Sequence, residues 1–285
     1  MGDEFRLEPI SICKSYADYA RFAATRPGLK FREAESRLVV EAREFHVPGW
    51  CAKCEREVDF LVDHQYTKTS EPNWRERLVC PNCGLNNRLR LSLHFLKQFA
   101  GLSQDSQIYV TEQTTPFYSV LKASYGNVYG SEYLRDGTPR GGVNARGLRH
   151  EDITALSFRD RSFDFIATFD VLEHVPDFKR GIEECARCLK PDGGFLITVP
   201  FNLNSETTLI RARVLPDGSI EHLLPAQYHG DPLSAEGVLC YQTFGWDLLT
   251  LLAETGFPDP AIYFFWSEKF GYLGGLQFVI FGRKA

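Results

Sequence analysis

"SFRDRSFDFIATFDVLEHVPDF", residues 157–178, followed by "GIEECARCLKPDGGFLITVPF", residues 181–201, sets a continuous apolar run before an acidic stop, then a helical stretch, then a second apolar run. The pattern predicts strands near 163–169 and 194–200 with a helix over 177–189 between them. Short apolar runs without alternation belong to strands buried on both faces, and a helix joining two of them makes a parallel crossover. The same alternation extends outward. Strands are expected near 107–112, 126–131, 260–266 and 275–282, with a weaker one near 147–151, and helices near 116–124 and 244–255. This is an α/β chain with a mostly parallel sheet, helices on both faces and a ligand site at the carboxyl ends of the strands.

Together, the two quoted stretches resemble the fourth strand, fourth helix and fifth strand of the class I S-adenosylmethionine-dependent methyltransferases. The likeness is strongest with the small-molecule branch that includes the ubiquinone-biosynthesis O-methyltransferases, where similar "LEHV" and "LKPGG" stretches occur. It covers about residues 87–285 and implies a Rossmann-like sheet with S-adenosylmethionine as cofactor. Through it, Glu132 in "VYGSE" takes the acidic place after the second strand, where a carboxylate accepts from both ribose hydroxyls. Asp152 in "RHEDITALSF" takes the third-strand acidic place facing the adenine amino group, with Ile153 beside the ring. Asp170, closing "IATFD", faces the methionine part, and Glu112 takes the first-motif carboxylate place.

One segment departs from the family. "QIYVTEQTTPFY", residues 107–118, is the strand, turn and helix start where a nucleotide fold places its glycines, and it contains none. A pyrophosphate needs the close backbone approach that glycine permits, so a dinucleotide-dependent oxidoreductase is disfavoured. Thr114 and Thr115 stand in place of the glycines, offering hydroxyls and amides at a helix N-terminus, and Pro116 suits the first helical turn. Both a cofactor site of altered geometry and a catalytically silent binding protein are compatible with this turn.

Methyl transfer depends chiefly on alignment, and transfer to a hydroxyl gains from a nearby base such as a neutral histidine. His174, just past the fourth strand, is the first candidate; capping or packing is its alternative role. Glu173 beside it is expected to meet a polar group of the substrate. The stretch near 202–243 is too long for a plain connection and reads as a lid over the acceptor. Within it "LIRARVLPDGSIEHLL" predicts a hairpin turned by Pro216-Asp217-Gly218. His222 and His229 become catalytic candidates, and Tyr228 and Asp231 substrate-binding ones. Arg211 and Arg213 are placed to hold an anionic acceptor, unless they are outward-facing strand residues.

Cys51, Cys54, Cys80 and Cys83 form two C-x2-C pairs separated by a β-like spacer, the arrangement of a zinc ribbon, with a closed four-thiolate shell that is structural rather than catalytic. Cys185 and Cys188 repeat the spacing, but Ile182, Cys185, Ala186 and Leu189 make one apolar helical face, so core packing is expected there. Cys13 and Cys240 are isolated and carry no inference. The expected organisation is an N-terminal helical segment over 1–46, with helices near 14–25 and 32–43, a zinc ribbon over 47–86, and the methyltransferase-like domain over 87–285.

A net charge of -5 over 285 residues argues against a nucleic-acid binder. An RNA methyltransferase whose ribbon docks through Arg88, Arg90 and Lys97 is retained as an alternative. The acidic N-terminus and the lack of a long apolar run predict a cytoplasmic protein with no membrane contact. The expected function is methyl transfer, most simply to oxygen, on a small-molecule or saccharide acceptor.

Overall fold

The computed structural model describes residues 3–38, 43–67, 71–231 and 234–285. In chain order its elements are β1 (Ser11–Cys13), α1 (Tyr16–Ala24), α2 (Pro27–Ser36), β2 (Glu44–Cys51), β3 (Arg56–Asp63), α3 (Asn87–Phe99), β4 (Gln107–Val110), α4 (Pro116–Ser124) and β5 (Asn127–Gly130). There follow β6 (Phe163–Phe169), α5 (Phe178–Cys188) and β7 (Leu189–Thr198). The lid carries six short strands, β8 (Leu209–Ile210), β9 (Ala212–Val214), β10 (Ile220–His222), β11 (Tyr228–Asp231), β12 (Ser234–Leu239) and β13 (Gln242–Thr243). The chain ends with α6 (Asp247–Glu254), β14 (Ala261–Ser267) and β15 (Tyr272–Arg283).

A seven-stranded sheet runs in the order β1-β14-β15-β7-β6-β4-β5. The pairs β4/β5, β4/β6 and β6/β7 are parallel, whereas β15 lies antiparallel to β7 and β1 antiparallel to β14. From β4 the chain goes to β5 on one side, while β6 takes the other side. The strand order therefore reverses at the carboxyl end of β4, and a Rossmann-like sheet opens its ligand crevice at such a point. Residues 111–115 leave β4 there.

Local chemistry accounts for the elements that frame this crevice. Thr115 is the N-cap of α4, its hydroxyl accepting from the Tyr118 amide at 3.3 Å, and Pro116 is the first helical residue. Asp177 caps α5 by accepting from the Arg180 amide at 3.1 Å. The inward face of α5 buries Ile182, Cys185, Ala186 and Cys188, followed by Leu189. Burial holds the Cys185 thiol well above its ordinary range, as expected of a packing cysteine.

Two expectations are corrected. No strand forms over 147–151; the segment is joined only by single bridges, Glu132 with His150 and Val143 with Arg149. The second helix begins at Pro27 rather than at 32, because Arg26 takes a left-handed φ of 53° and Pro27 then starts a new helix. Residues 39–42 of the expected helix lie outside the described part.

The chain divides into two compact units, one of Met1–Cys13, Ala17–Leu102 and Ile262–Val279, the other of Lys14–Tyr16, Ser103–Ala261 and Ile280–Ala285. The boundary expected at 87 thus falls inside the first unit, where α3 belongs with the cysteine-bearing hairpin β2/β3. That unit has charged groups at its centre. Arg90, 2% exposed, donates to the carbonyls of Leu78 at 3.2 Å, Phe270 at 2.6 Å and Gly271 at 2.8 Å, and its guanidinium lies 3.7 Å from the centre of the Phe60 ring. Glu35, also buried, accepts from the Trp266 indole and the Gly274 and Gly275 amides, each at 2.8 Å.

In the second unit Gly130 ends β5 against the next turn: a Cβ there would stand 2.6 Å from the Tyr118 ring and 2.7 Å from the Glu112 carbonyl oxygen. Replacing Gly130 by Ala is expected to cost about 1–3 kcal/mol through this overpacking, read as a lower urea midpoint at constant m-value. Replacing Arg90 by Leu leaves three buried carbonyls without their donor, each worth roughly 1–3 kcal/mol, so a loss of about 3 kcal/mol or more is expected in the same measurement. A midpoint unchanged in Arg90→Leu refutes the central role of that side chain.

Candidate functional site

Carboxylates stand at the carboxyl ends of the parallel strands. Glu112 and Glu132 each follow their strand, β4 and β5, by two residues, and Asp170 directly follows β6. The bridge from Glu132 to His150 brings the 150–153 segment alongside, with the Glu151 amide donating to Glu132 O at 3.1 Å. Glu132 organises the turn after β4: its Oε1 accepts from the amides of Gln113 at 2.7 Å and Thr114 at 2.9 Å and from the Thr114 hydroxyl at 2.9 Å. Gln113 extends the brace, donating to Gly147 O at 3.0 Å and accepting from the Arg149 amide at 2.8 Å.

Thr115 donates its hydroxyl to Glu112 Oε1 at 2.6 Å while capping α4, so its oxygen is engaged within the turn. Asp152 caps a short 3-10 turn over Ile153–Ala155, accepting from Thr154 N at 2.9 Å and Thr154 Oγ1 at 2.7 Å. It is therefore a cap rather than a strand end. Ile153 is buried and lies against Gly181 of α5, where a Cβ would approach its Cγ2 to 3.3 Å. Asp170 has a φ of 52°; its amide donates to Thr198 O at 2.8 Å, and its Oδ1 accepts from the Thr198 hydroxyl at 3.1 Å.

None of residues 107–118 has a positive φ, so the glycine-free turn is built without any conformation that only glycine adopts easily. A rim of carboxylates repels phosphate. It suits a ligand that brings hydroxyls and positive charge.

Beyond β6 lies a second polar group. Leu172–His174 form a 3-10 turn in which Glu173 is 0% exposed, and neither carboxylate oxygen accepts a hydrogen bond. His229 Nδ1 stands 3.4 Å and His174 Nε2 3.7 Å from Glu173 Oε1, with the two imidazoles perpendicular at 5.3 Å between centres. Cys240 Sγ is 4.0 Å from His174 Nδ1, which also meets Leu239 O at 2.8 Å. Burial first, then the charge of Asp170, pushes the Glu173 carboxyl up. The neighbouring Cys240 thiol and then the Glu173 carboxylate raise His229 to about 10. Against its burial, Cys240 is pulled down by hydrogen bonds with His174 and His229.

The lid supplies half of this group. Gly237, at φ 74°, lets β12 pass so close to β11 that a Cβ would stand 2.5 Å from His229 O. Gln242, 1% exposed, donates from its side chain to Leu172 O at 2.5 Å and Val175 O at 3.0 Å, and the Tyr241 amide donates to Glu173 O at 2.8 Å. Cys240 and Gln242 were not legible as site residues. An isolated cysteine and a glutamine carry no spacing signal.

Other lid candidates are not brought to this group. His222 is exposed on β10, opposite Ala212 in the expected hairpin. Arg213 is exposed and pairs with Glu221. Arg211 donates from Nη2 to Pro225 O at 3.0 Å and from its amide to Tyr241 O at 2.7 Å, so it serves the fold of the lid itself. Tyr228 opens β11 with 58% exposure. Asp231 closes that strand, and its side chain lies outside the described part.

In the first unit the four cysteines of the two pairs converge. Cys51 and Cys83 sulfurs are 3.9 Å apart and those of Cys54 and Cys80 3.7 Å, close to the ~3.8 Å edge of a tetrahedron with metal–sulfur bonds of ~2.3 Å. Two matching turns present them: the Glu55 amide donates to Cys51 O at 2.8 Å and the Gly84 amide to Cys80 O at 2.9 Å, with Glu55 and Gly84 both at positive φ. The amides of Cys83 and Asn82 are aimed at the Cys80 sulfur. The cluster is compatible with a small zinc-binding module.

Residues 116–197 match the family model described as a methyltransferase domain. A probable S-adenosylmethionine-dependent methyltransferase of Mycolicibacterium smegmatis is 32% identical over 96 residues, covering 28% of this chain and 37% of that protein. A similarly described protein of Mycobacterium tuberculosis is 27% identical over 158 residues, half of each chain. The chain thus spans half or less of the length of these curated relatives. A solved methyltransferase of Methanosarcina mazei is 21% identical with a TM-score of 0.39, covering 64% of this chain and 94% of that one. The matched segment begins at the helix after the switch point and ends within β7, so residues 116–197 are similar to a methyltransferase domain and lie in a Rossmann-like sheet.

Proposed function

We propose that this chain transfers a methyl group from S-adenosylmethionine to an oxygen of a small-molecule or glycan-type acceptor, and that its four clustered cysteines hold a structural zinc ion. The observation that carries the reading is the carboxylate rim at the switch point, with Glu132 facing the amides of Gln113 and Thr114. When bound, the cofactor supplies an electrophilic methyl group on a sulfonium. Glu132 is suited to the ribose hydroxyls, Asp152 and Ile153 to the adenine, and Glu112, Thr114, Thr115 and Asp170 to the methionine end. The chain's part in the reaction is alignment, with His174 and His229 beside buried Glu173 as the groups that accept a proton from the acceptor hydroxyl. The likeness of "LEHV" and "LKPDGG" to the ubiquinone branch supports a small acceptor, and the lid that delivers His229 supports enclosure of it.

A second reading, a silent binding protein, has one observation in its favour: Glu132 Oε1 is already filled by three donors. Docking of RNA through the ribbon is disfavoured by what its cations do. Arg90 is buried, Arg88 lies 3.1 Å from Glu76 and Lys97 lies 3.0 Å from Glu55. No helix among the described residues is long and apolar enough to cross a membrane.

Calorimetry with S-adenosylmethionine and its demethylated product separates the two readings: the enzyme binds both, and no heat at millimolar cofactor supports the silent protein. Glu132→Ala is expected to weaken cofactor binding by about 1.5–3 kcal/mol, roughly 10- to 100-fold, and Asp170→Asn by less. Unchanged affinity in a folded Glu132→Ala protein refutes the assignment of that carboxylate. For the ribbon, Cys80→Ser is expected to lose one zinc equivalent by elemental analysis and to melt at lower temperature. Full zinc content in that variant refutes the ligand set.

A further inference from the structure

We infer that His174, His229 and Cys240, with the buried carboxylate of Glu173 beside the two imidazoles, form a second metal site, specific for a divalent cation of the zinc type and separate from the four-cysteine cluster. His174, His229 and Cys240 each place a ligating atom within 4.8 Å of the other two. Glu173 Oε1 lies 3.4 Å from His229 Nδ1 and 3.7 Å from His174 Nε2. Ligand atoms around a tetrahedral zinc ion with bonds of ~2.0–2.3 Å stand roughly 3.3–3.8 Å apart. The observed separations require a contraction of up to about 1.5 Å to share one ion.

The independent observation is Glu173. Its side chain is fully buried, yet both oxygens lack a hydrogen-bond donor. Buried carboxylates are satisfied by donors, by paired cations or by metals, and this one is faced by two imidazole nitrogens.

His174 is also held on its far side, as metal-bound histidines are. His174 Nδ1 meets Leu239 O at 2.8 Å, which makes that nitrogen the protonated one and leaves the lone pair on Nε2, the atom nearer Glu173. A shell of two imidazoles and one thiolate, with the fourth position open, is borderline in softness. It selects zinc and its neighbours over calcium or magnesium, which take oxygen ligands. The inference deepens the acceptor end of the proposed reaction without depending on it. A cation there would polarise an acceptor hydroxyl and take over the part given to the imidazoles, and ion uptake is measured with no cofactor present.

The test is cobalt(II) titration of the metal-stripped full-length protein, followed by absorption, with elemental analysis of the zinc-loaded form. Wild type is expected to take up one equivalent more than His229→Gln and one more than Cys240→Ser, whatever the four-cysteine cluster binds. The spectrum of that cluster should be the same in all three. His229 is 30% exposed on its side chain, so His229→Gln removes little packing and should fold. Equal metal content and identical cobalt spectra in wild type, His229→Gln and Cys240→Ser overturn the site and leave Glu173 as the partner of protonated imidazoles alone.

Discussion

The turn after β6 is held by the chain returning from the lid. The Gln242 side chain donates to the carbonyls of Leu172 and Val175, the Tyr241 amide donates to Glu173 O, and Leu239 O receives the His174 ring nitrogen. Each such bond contributes only about 0.5–1.5 kcal/mol net, but left unmade in a buried place each would cost more. Their joint effect is geometric. They fix residues 239–242 beside 172–175, and so bring His229 and Cys240 towards a buried carboxylate 56 and 67 residues away in sequence. Without this clasp, Glu173 would be an uncompensated charge in an apolar setting.

The switch-point turn shows a different economy. A glycine-rich turn solves two problems at once, a left-handed backbone and close approach to a phosphate. Here the first problem does not arise, since no residue of the turn is left-handed, and a rim of carboxylates removes the second by excluding phosphate. The tight contact is displaced onto the end of β5, where Gly130 lies against the Tyr118 ring and the Glu112 carbonyl. Glu132 then locks the turn with three hydrogen bonds to a single oxygen. Threonine in place of glycine stiffens the turn and supplies one of those bonds.

In the first unit, charge is used for structure. Arg90 joins three carbonyls from two separate segments, and Glu35 does the same for two glycine amides and an indole. Each of these buried ions makes three hydrogen bonds, and such pairing is the condition under which burial of charge is tolerated. Their basic partners in the sequence, Arg88 and Lys97, are matched to Glu76 and Glu55. The cations that invite a nucleic-acid reading are thus paired within the unit.

Much of the architecture was legible from residue order. The buried runs at 107–110 and 163–169 and the helix at 116–124 are local consequences of apolar runs, a threonine cap and a proline at N1, and they need no distant partner to be recognised. The cysteine pairs are equally local, because two C-x2-C turns declare their chemistry by spacing alone. What stayed hidden depends on long-range closure. Asp152 reads as a strand end but is a helix-turn cap, since its strand is replaced by a single bridge to Glu132. Arg211, Arg213 and His222 read as substrate groups, yet the hairpin turns them to its own carbonyls, to Glu221 and to solvent. Cys240, with no signal in the sequence, meets His174 and His229. A residue's type and spacing determine what it can do within its own turn. Which polar groups share a buried volume is decided only when distant segments close on one another, because burial and charge act through space and not along the chain.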